Sequence, residues 1–169
     1  VVVGIAASGV TPFVVEGLHA AGARGASVIL VTCHASVKAR TRADVCISPS
    51  VGPEVIAGST RLKAATATKL ILNMLTVASM VRLGKVHGNL MVDVRPTSRK
   101  LTARALGIIQ TVAGVSSRQA AASLRRARGD TKTAIVMAAL GVTDREAHRL
   151  LARHDGLLRR VLPQKVHRS

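Results

Sequence analysis

Short runs of β-branched residues alternate with a helical pattern in the first half of the chain. Residues 1–5, 27–32 and 44–47 have the composition of strands, and the first run is of the kind that lies buried on both faces inside a parallel sheet. Pro12 suits the first turn of the helix that follows the first strand. Residues 36–42 are expected to form a short helix or a loop. The order strand, helix, strand, strand predicts a parallel α/β sheet flanked by helices.

The longest apolar segment lies in the middle of the chain. A helix is predicted from Ser59 or Thr60 to about Arg82. Its apolar residues lie on nearly all sides of the helix, which favours burial in the core and at a subunit interface. Polar side chains interrupt the segment, so we expect it to fall short of the roughly 20 apolar residues that span a bilayer. Residues 85–94 are predicted to be an extended connector with a turn at residues 87–89.

From residue 97 onward the pattern is helical and basic. Ser116 or Ser117 can cap one helix, and Thr143 with Glu146 has the spacing of a capping box for another. Helices are predicted over residues 97–113, 116–128, 131–140, 143–153 and 156–162. We therefore expect an α/β part over residues 1–94, a connecting helix over 95–114 and a basic helical bundle over 115–169.

The net charge of +17 is concentrated in the second half of the chain, since residues 1–94 carry a net +5 and residues 95–169 a net +12. Such a surface attracts nucleic acid, acidic membranes or anionic metabolites, and a general preference for arginine explains it equally well. Phe13 is the only aromatic residue, so there is no platform on which bases could stack. We expect neither a nucleic-acid nor a membrane partner.

Cysteine and histidine residues show no metal-ligand spacing. Cys33 and Cys46 are expected to be free thiols in a reducing cytoplasm, and no secretory signal segment opens the chain. The six histidines show no ligand spacing with cysteine or acid, so no metal site is expected. Because the chain begins directly at its first strand, we expect that an upstream portion precedes it.

Two loops carry candidate phosphate chemistry. Ser59 and Thr60 stand before the long helix, where backbone N–H groups and the helix dipole favour an anion, and Arg61 and Lys63 add positive charge. This loop and residues 8–11 both follow strand ends, so both can face one crevice. The pattern predicts a phosphate or sugar-phosphate site, and simple capping of the helix by the two hydroxyls is the alternative.

Long stretches of the sequence resemble a known family, the N-acetylmuramic acid 6-phosphate etherases. The matching stretches are VVVGIAASGVTP, GPEVIAGSTRLKAATATKLILNML, MVRLGKVHGNLMVDVRPTSRKL and DTKTAIVM. The chain is similar more distantly to the glucokinase regulatory protein, which shares the sugar-isomerase (SIS) domain. The resemblance implies a flavodoxin-like SIS fold, of which residues 1–94 are the C-terminal part. It also implies that the family's first phosphate loop and its acid and base residues lie upstream of this chain.

The activity that the resemblance implies is that of a carbon–oxygen lyase. Such an enzyme converts N-acetylmuramic acid 6-phosphate and water into N-acetylglucosamine 6-phosphate and D-lactate, as a homodimer and without a metal or an organic cofactor. Val10 stands where the family usually has Arg, and Ala65 where it usually has Gly. The substrate-binding residues that the resemblance implies are Ser8, Gly9 and Thr11 in one loop and Ser59, Thr60, Arg61 and Lys63 in the other.

The carboxylates of the chain form no evident acid–base pair. Only Glu54 lies in a candidate substrate loop, and we interpret it as a group that binds backbone amides and shapes the loop rather than as a catalyst. Two other functions therefore stay open. Val10 and the absent acids favour a catalytically inactive, regulatory sugar-phosphate-binding SIS protein, and the basic helices of residues 118–160 could bind nucleic acid.

Overall fold

The structure is a computed structural model that describes residues 1–34 and 42–162. It divides into two compact units, Val1–Thr76 and the part from Val77 onward. This division falls inside the long central helix, earlier in the chain than the boundary after residue 94 that the sequence pattern suggested. The short helix or loop predicted over residues 36–42 lies, apart from Arg42, outside the described residues.

The first unit contains the predicted parallel sheet. Helix α1 (Pro12–Ala23) follows the first strand, and the strands pair in the order in which they occur along the chain. The prediction of a parallel α/β arrangement is confirmed. The strands are β1 (Val2–Ile5), β2 (Val28–Val31) and β3 (Val45–Ile47).

Strand β2 forms the centre of this sheet, and α1 packs closely on its neighbour β1. Leu30 of β2 is fully buried, and Leu18 of α1 belongs to the same small core. The close approach depends on Gly4, because a β-carbon at this position would lie 2.8 Å from Leu18 Cδ1 and 2.9 Å from Val14 Cγ1. Gly4 therefore fixes how near helix and sheet come to one another.

Strand β1 is exposed, which corrects the prediction that it is buried on both faces. Val2 and Ile5 are 39% and 44% exposed, and among the described strands β1 pairs with β2 alone. A β-branched run predicts a strand correctly, but burial of both its faces requires elements packed above and below the sheet, and composition does not supply them.

Helix α2 (Lys63–Arg82) ends where the sequence pattern predicts, but the prediction that it is buried is wrong. Its only buried residues are Ala64 and Ile71. Met74 and Val77 are each 61% exposed, although both are large and apolar. The helix has apolar residues on nearly all sides, and most of this apolar surface is exposed in this chain.

Helix α2 is also the one helix in the described part of the chain that is long and apolar enough, by length and composition, to cross a membrane. The expectation that the segment is too short for this is wrong by that criterion. Core helices of soluble proteins have the same length and composition, so this property alone does not indicate a membrane span.

The second unit consists of a short hairpin and the predicted helices. The extended connector of residues 85–94 forms an antiparallel pair, β4 (Val86–His87) and β5 (Leu90–Met91). Five helices follow, each within a few residues of its predicted bounds. They are α3 (Arg99–Ala113), α4 (Ser117–Arg126), α5 (Thr131–Leu140), α6 (Asp144–Arg153) and α7 (Leu158–Val161).

Local capping sets the starts of these helices. Ser116 forms a capping box with Gln119, and Thr143 forms the predicted one with Glu146. Helix α5 contributes most to the core, where Ala134, Ile135 and Val136 are fully buried. Val92 and Val94 of the connector are buried in the same core, so the connector packs as part of the helical unit.

Candidate functional site

The loop after β1 holds the first group of predicted site residues. Gly9 closes a turn by donating its N–H to the Ala6 carbonyl at 2.9 Å, and its φ of +70° favours glycine. The Ser8 hydroxyl accepts a bond from the Val10 N–H at 3.4 Å. The turn thus leaves Ser8 at the carboxyl end of β1, immediately before the next helix.

Thr11 is the N-cap residue of α1, yet its hydroxyl does not cap the helix. Its carbonyl accepts the N–H groups of Val14 and Val15, and Pro12 occupies the first helical turn. No acidic side chain stands in that turn. The Thr11 hydroxyl and the positive end of the helix dipole are therefore available to an external anion.

A buried threonine at the end of β2 connects this loop to the next strand. Thr32 Oγ1 donates to the Ala7 carbonyl at 3.1 Å and accepts the His34 N–H at 3.1 Å. The Cys33 N–H also donates to Ala7, at 3.0 Å. Sequence reasoning missed Thr32 as a residue that positions the site, although a hydroxyl at the end of an otherwise apolar strand is a signal that could have identified it.

Glu54 binds the first amides of α2, as its sequence-based interpretation held. Its two carboxylate oxygens accept the Lys63 and Ala64 N–H groups, each at 3.0 Å. These two bonds, and then the Lys63 charge, hold the pKa of Glu54 below its ordinary value. The helix end that could have received an anion directly is thus occupied in part by a carboxylate of the chain itself.

Ser59, Thr60 and Arg61 form the turn beside this capped helix end. Ser59 Oγ accepts the Arg61 N–H at 3.4 Å, and the Thr60 carbonyl accepts the Ala65 N–H at 3.1 Å. Lys63 Nζ donates to the Pro53 carbonyl at 2.7 Å, so its ammonium group is already engaged.

Arg61 is the basic side chain of this turn that has no partner among the described residues. It is exposed, and its guanidinium forms no hydrogen bond or ion pair with any of the residues that the structure describes. Arg61, rather than Lys63, is therefore the side chain best placed to bind a phosphate.

Electrostatics links the Glu54 loop to the end of β2. Burial raises the pKa of the Cys33 thiol, and the negative charge of Glu54 raises it further. Cys33 in turn donates its N–H to the Ala7 carbonyl in the loop after β1. The loop after β1 and the loop after β3 both begin at the carboxyl ends of their strands, the edge where parallel sheets bind ligands.

Among the residues that the structure describes, no acid–base pair lies at this edge. Glu54 is held ionised by two amides, whereas a general acid needs a raised pKa. His87 belongs to the second unit, where its Nδ1 is buried without a hydrogen-bond partner. Within residues 1–34 and 42–162, no three His, Cys, Asp or Glu side chains form a group that could hold a metal ion.

The fold defines a class, an α/β protein with a small parallel sheet and polar loops at the carboxyl ends of its strands. Comparison with known proteins narrows the class. The chain is 46% identical over 162 residues, 96% of its length, to the N-acetylmuramic acid 6-phosphate etherase of Rhodopirellula baltica. It is 47% identical over 164 residues to etherase 2 of Vibrio cholerae and 49% identical over 161 residues to the etherase of Mycolicibacterium smegmatis.

These matches confirm the resemblance and set its extent. The chain is homologous to N-acetylmuramic acid 6-phosphate etherases over almost all of its residues, while it spans about half the length of these curated relatives (54%, 53% and 54% in the same order). No family model matches the chain.

Proposed function

We propose that this chain forms the C-terminal part of an SIS domain, with its helical bundle, in a cytoplasmic and homodimeric N-acetylmuramic acid 6-phosphate etherase. The proposal rests on the homology to proteins of that name. One structural observation carries the role of this chain. The loop after β1 carries the Thr11 hydroxyl, which does not cap a helix, and the chain that leaves the carboxyl end of β3 leads to the exposed Arg61, and this supports the proposal.

In this proposal the loops bind the 6-phosphate of the amino sugar. The Thr11 hydroxyl and the N-terminus of α1 approach one side of the phosphate, and Arg61 binds phosphate oxygens with its planar fork of donors. Glu54 and Thr32 position the loops and do not touch the substrate. The full set of proposed substrate-binding residues is Ser8, Gly9, Thr11, Ser59, Thr60, Arg61 and Lys63.

The reaction is an elimination followed by an addition. A base removes the C2 proton of the sugar, the electron pair forms the C2–C3 double bond, and the C3–O bond breaks as the lactyl oxygen takes a proton. Water then supplies a hydroxyl to C3 and a proton to C2, which gives N-acetylglucosamine 6-phosphate and D-lactate. This chain contributes phosphate binding and orientation, and we assign it neither the acid nor the base.

The test uses the full-length gene product and measures D-lactate release from N-acetylmuramic acid 6-phosphate. We expect turnover, and we expect that Arg61→Ala raises KM about tenfold or more because a charge-assisted phosphate contact is lost. Arg149→Ala, which removes another exposed arginine, on α6, is the matched control and should leave KM unchanged.

Two outcomes would contradict the proposal. Full-length protein without lactate release at millimolar substrate, but with selective binding of the phosphosugar over inorganic phosphate, would identify a regulatory sugar-phosphate binder. An Arg61→Ala variant with unchanged KM would remove the proposed phosphate site from these loops.

A further inference from the structure

The loop that precedes α2 exposes two large apolar side chains beside the proposed phosphate-binding residues. Val55 and Ile56 are adjacent in the chain and are 76% and 72% exposed. The proposed function assigns neither of them a role. Covering apolar side chains is favourable in free energy, so a ligand that covers this pair is bound more tightly than one that does not.

Hydrogen bonds hold the two ends of this loop together. Glu54 at one end accepts the N–H groups of Lys63 and Ala64 at the other, each at 3.0 Å. Lys63 Nζ also donates to the Pro53 carbonyl at 2.7 Å. Residues 54–63 therefore form a compact loop of the Ω type, and a loop that is already ordered loses less conformational entropy when it binds a ligand.

A tight turn places Ile56 close to Ser59, one of the proposed substrate-binding residues. The Ser59 N–H donates to the Ile56 carbonyl at 3.0 Å, and Gly58 has the positive φ, +81°, that the third residue of a type II turn requires. The Cα atoms of Ile56 and Ser59 are therefore less than about 7 Å apart. A β-carbon on Gly58 would meet no atom of the described residues within 4 Å, so this side of the turn is open to a ligand.

The chemistry that the loop leaves exposed is cationic at one place and aliphatic at another. Glu54 is the only acid of residues 54–63, and both of its oxygens are bound to backbone amides. The Lys63 ammonium group is engaged by a carbonyl, whereas Arg61 is exposed. Together with the Val55–Ile56 pair, Arg61 matches a ligand that has an anionic group at one end and an apolar group at the other.

We propose that Val55 and Ile56 contact a methyl-bearing substituent of the sugar phosphate and so favour amino sugars that carry one. This rests on the proposed function, in which Arg61 of the same loop binds the 6-phosphate. N-acetylmuramic acid 6-phosphate has two such substituents, the N-acetyl group on C2 and the lactyl group on C3. Both lie across the sugar ring from the carbon that carries the phosphate arm, so residues other than Arg61 must contact them.

The test measures the binding of two sugar phosphates to the full-length gene product by calorimetry at constant ionic strength. N-acetylglucosamine 6-phosphate carries the N-acetyl methyl group, and glucosamine 6-phosphate lacks it. For contact with the N-acetyl group, we expect Ile56→Ala to weaken binding of the first about fourfold or more, the effect of one methylene group that is no longer buried. Binding of glucosamine 6-phosphate should not change. Ile56→Leu, which conserves volume, should keep most of the selectivity, and Val55→Ala should act in the same direction as Ile56→Ala.

Kinetics distinguish the two methyl-bearing groups of the substrate. If the pair contacts the lactyl group, Ile56→Ala raises KM for N-acetylmuramic acid 6-phosphate and leaves the affinity for N-acetylglucosamine 6-phosphate unchanged. If the pair contacts the N-acetyl group, KM and that affinity change together. In both cases kcat should stay the same, because the contact is as strong in the bound substrate as in the transition state. Each of these two results supports the proposal.

Leu83→Ala is the matched control, because leucine is an isomer of isoleucine and Leu83 is 60% exposed. It directly follows Arg82, at the end of α2 opposite to this loop, so both affinities and KM should stay unchanged. Equal weakening of both sugar phosphates by Ile56→Ala would show a general disturbance of the loop and would overturn the proposal. A changed oligomeric state in light scattering, with unchanged selectivity, would overturn it in favour of an interface between copies of the chain.

The measurements separate a failure of this contact from a failure of the proposed function. Normal lactate release, with KM and both affinities unchanged in Ile56→Ala, would refute the contact and leave the etherase function standing. Wild-type protein that releases no lactate, but whose preference for N-acetylglucosamine 6-phosphate depends on Ile56, would refute the etherase function and support the contact. Because Ile56 is exposed, its truncation opens no cavity in the core, and thermal melts of the variant should match those of the wild type.

Discussion

Two buried threonines on α5 allow a sharp test of the helical core. Thr131 and Thr133 are 2% and 1% exposed, and they lie two residues apart on one helix. Thr131 Oγ1 donates to the Val94 carbonyl at 2.6 Å, whereas Thr133 Oγ1 is buried without a hydrogen-bond partner among the described residues. The same isosteric change to valine should therefore have opposite effects at the two positions.

The magnitudes follow from the fate of each polar atom. Thr131→Val removes the donor, leaves the Val94 carbonyl unpaired and should cost about 1–3 kcal/mol. A valine methyl group in place of Oγ1 would lie 2.6 Å from the Val94 carbonyl oxygen. Carbon–oxygen contacts are usually no shorter than about 3.3 Å, so the substitution also adds strain. Thr133→Val removes a hydroxyl whose unpaired burial costs about 1–3 kcal/mol, so it should stabilise the chain by up to that amount.

The assay is reversible urea unfolding followed by circular dichroism, with thermal melts as a second measurement. A change of 1 kcal/mol corresponds to roughly 2–4 °C in Tm for a chain of this size. Thr131→Ser, which keeps the hydroxyl and loses only a methyl group, is the control and should cost less than Thr131→Val. Equal destabilisation by both valine variants, or a neutral Thr131→Val, would refute the reasoning.

Three further predictions concern the first unit. Gly4→Ala should cost about 1–3 kcal/mol of stability because its β-carbon overlaps with Leu18. Gly17 is an open position within α1, so Gly17→Ala should stabilise the chain by about 0.5–1 kcal/mol. Urea midpoints that move in the same direction in both variants would contradict this. Because the pKa of Glu54 is lowered on folding, its stabilising effect is present above the ordinary glutamate pKa and is lost as the pH falls through the lowered value. The urea midpoints of wild type and Glu54→Gln should therefore converge in acid and differ at neutral pH, and a constant difference would argue against the capping role. Val10→Arg should tighten binding of N-acetylglucosamine 6-phosphate relative to the unphosphorylated sugar by calorimetry, and unchanged selectivity would show that residue 10 does not face the phosphate.

Local chemistry allowed the sequence to predict the helical unit closely. The Thr143–Glu146 capping box and the Ser116 cap are interactions within four residues, and the structure contains both. The interpretation of Glu54 as an amide-binding carboxylate was confirmed for a related reason. A helix N-terminus always offers unpaired N–H groups, and Glu54 was the acid in the adjoining loop.

The candidate site could be predicted only in part from the sequence. The loops with Ser8 and Ser59 were identified from hydroxyl-rich turns that follow strands, and their role in binding substrate stays a prediction. A hydroxyl at the end of an apolar strand could have identified Thr32, but its bond to the Ala7 carbonyl and the bond of Lys63 to the Pro53 carbonyl depend on how the chain folds back in space.

The sequence by itself determined which segments become strands and helices and where the helices of the second unit start, because these properties depend on backbone preferences and on neighbours within one or two turns. That two turns suit an anion stays a prediction. Only the tertiary structure decided what is covered. Strand β1 and helix α2 have the composition of buried elements, yet Ile5 and Met74 are exposed. An apolar pattern shows that removing a surface from water is favourable in free energy. Only the arrangement of other elements in space determines whether that surface is covered.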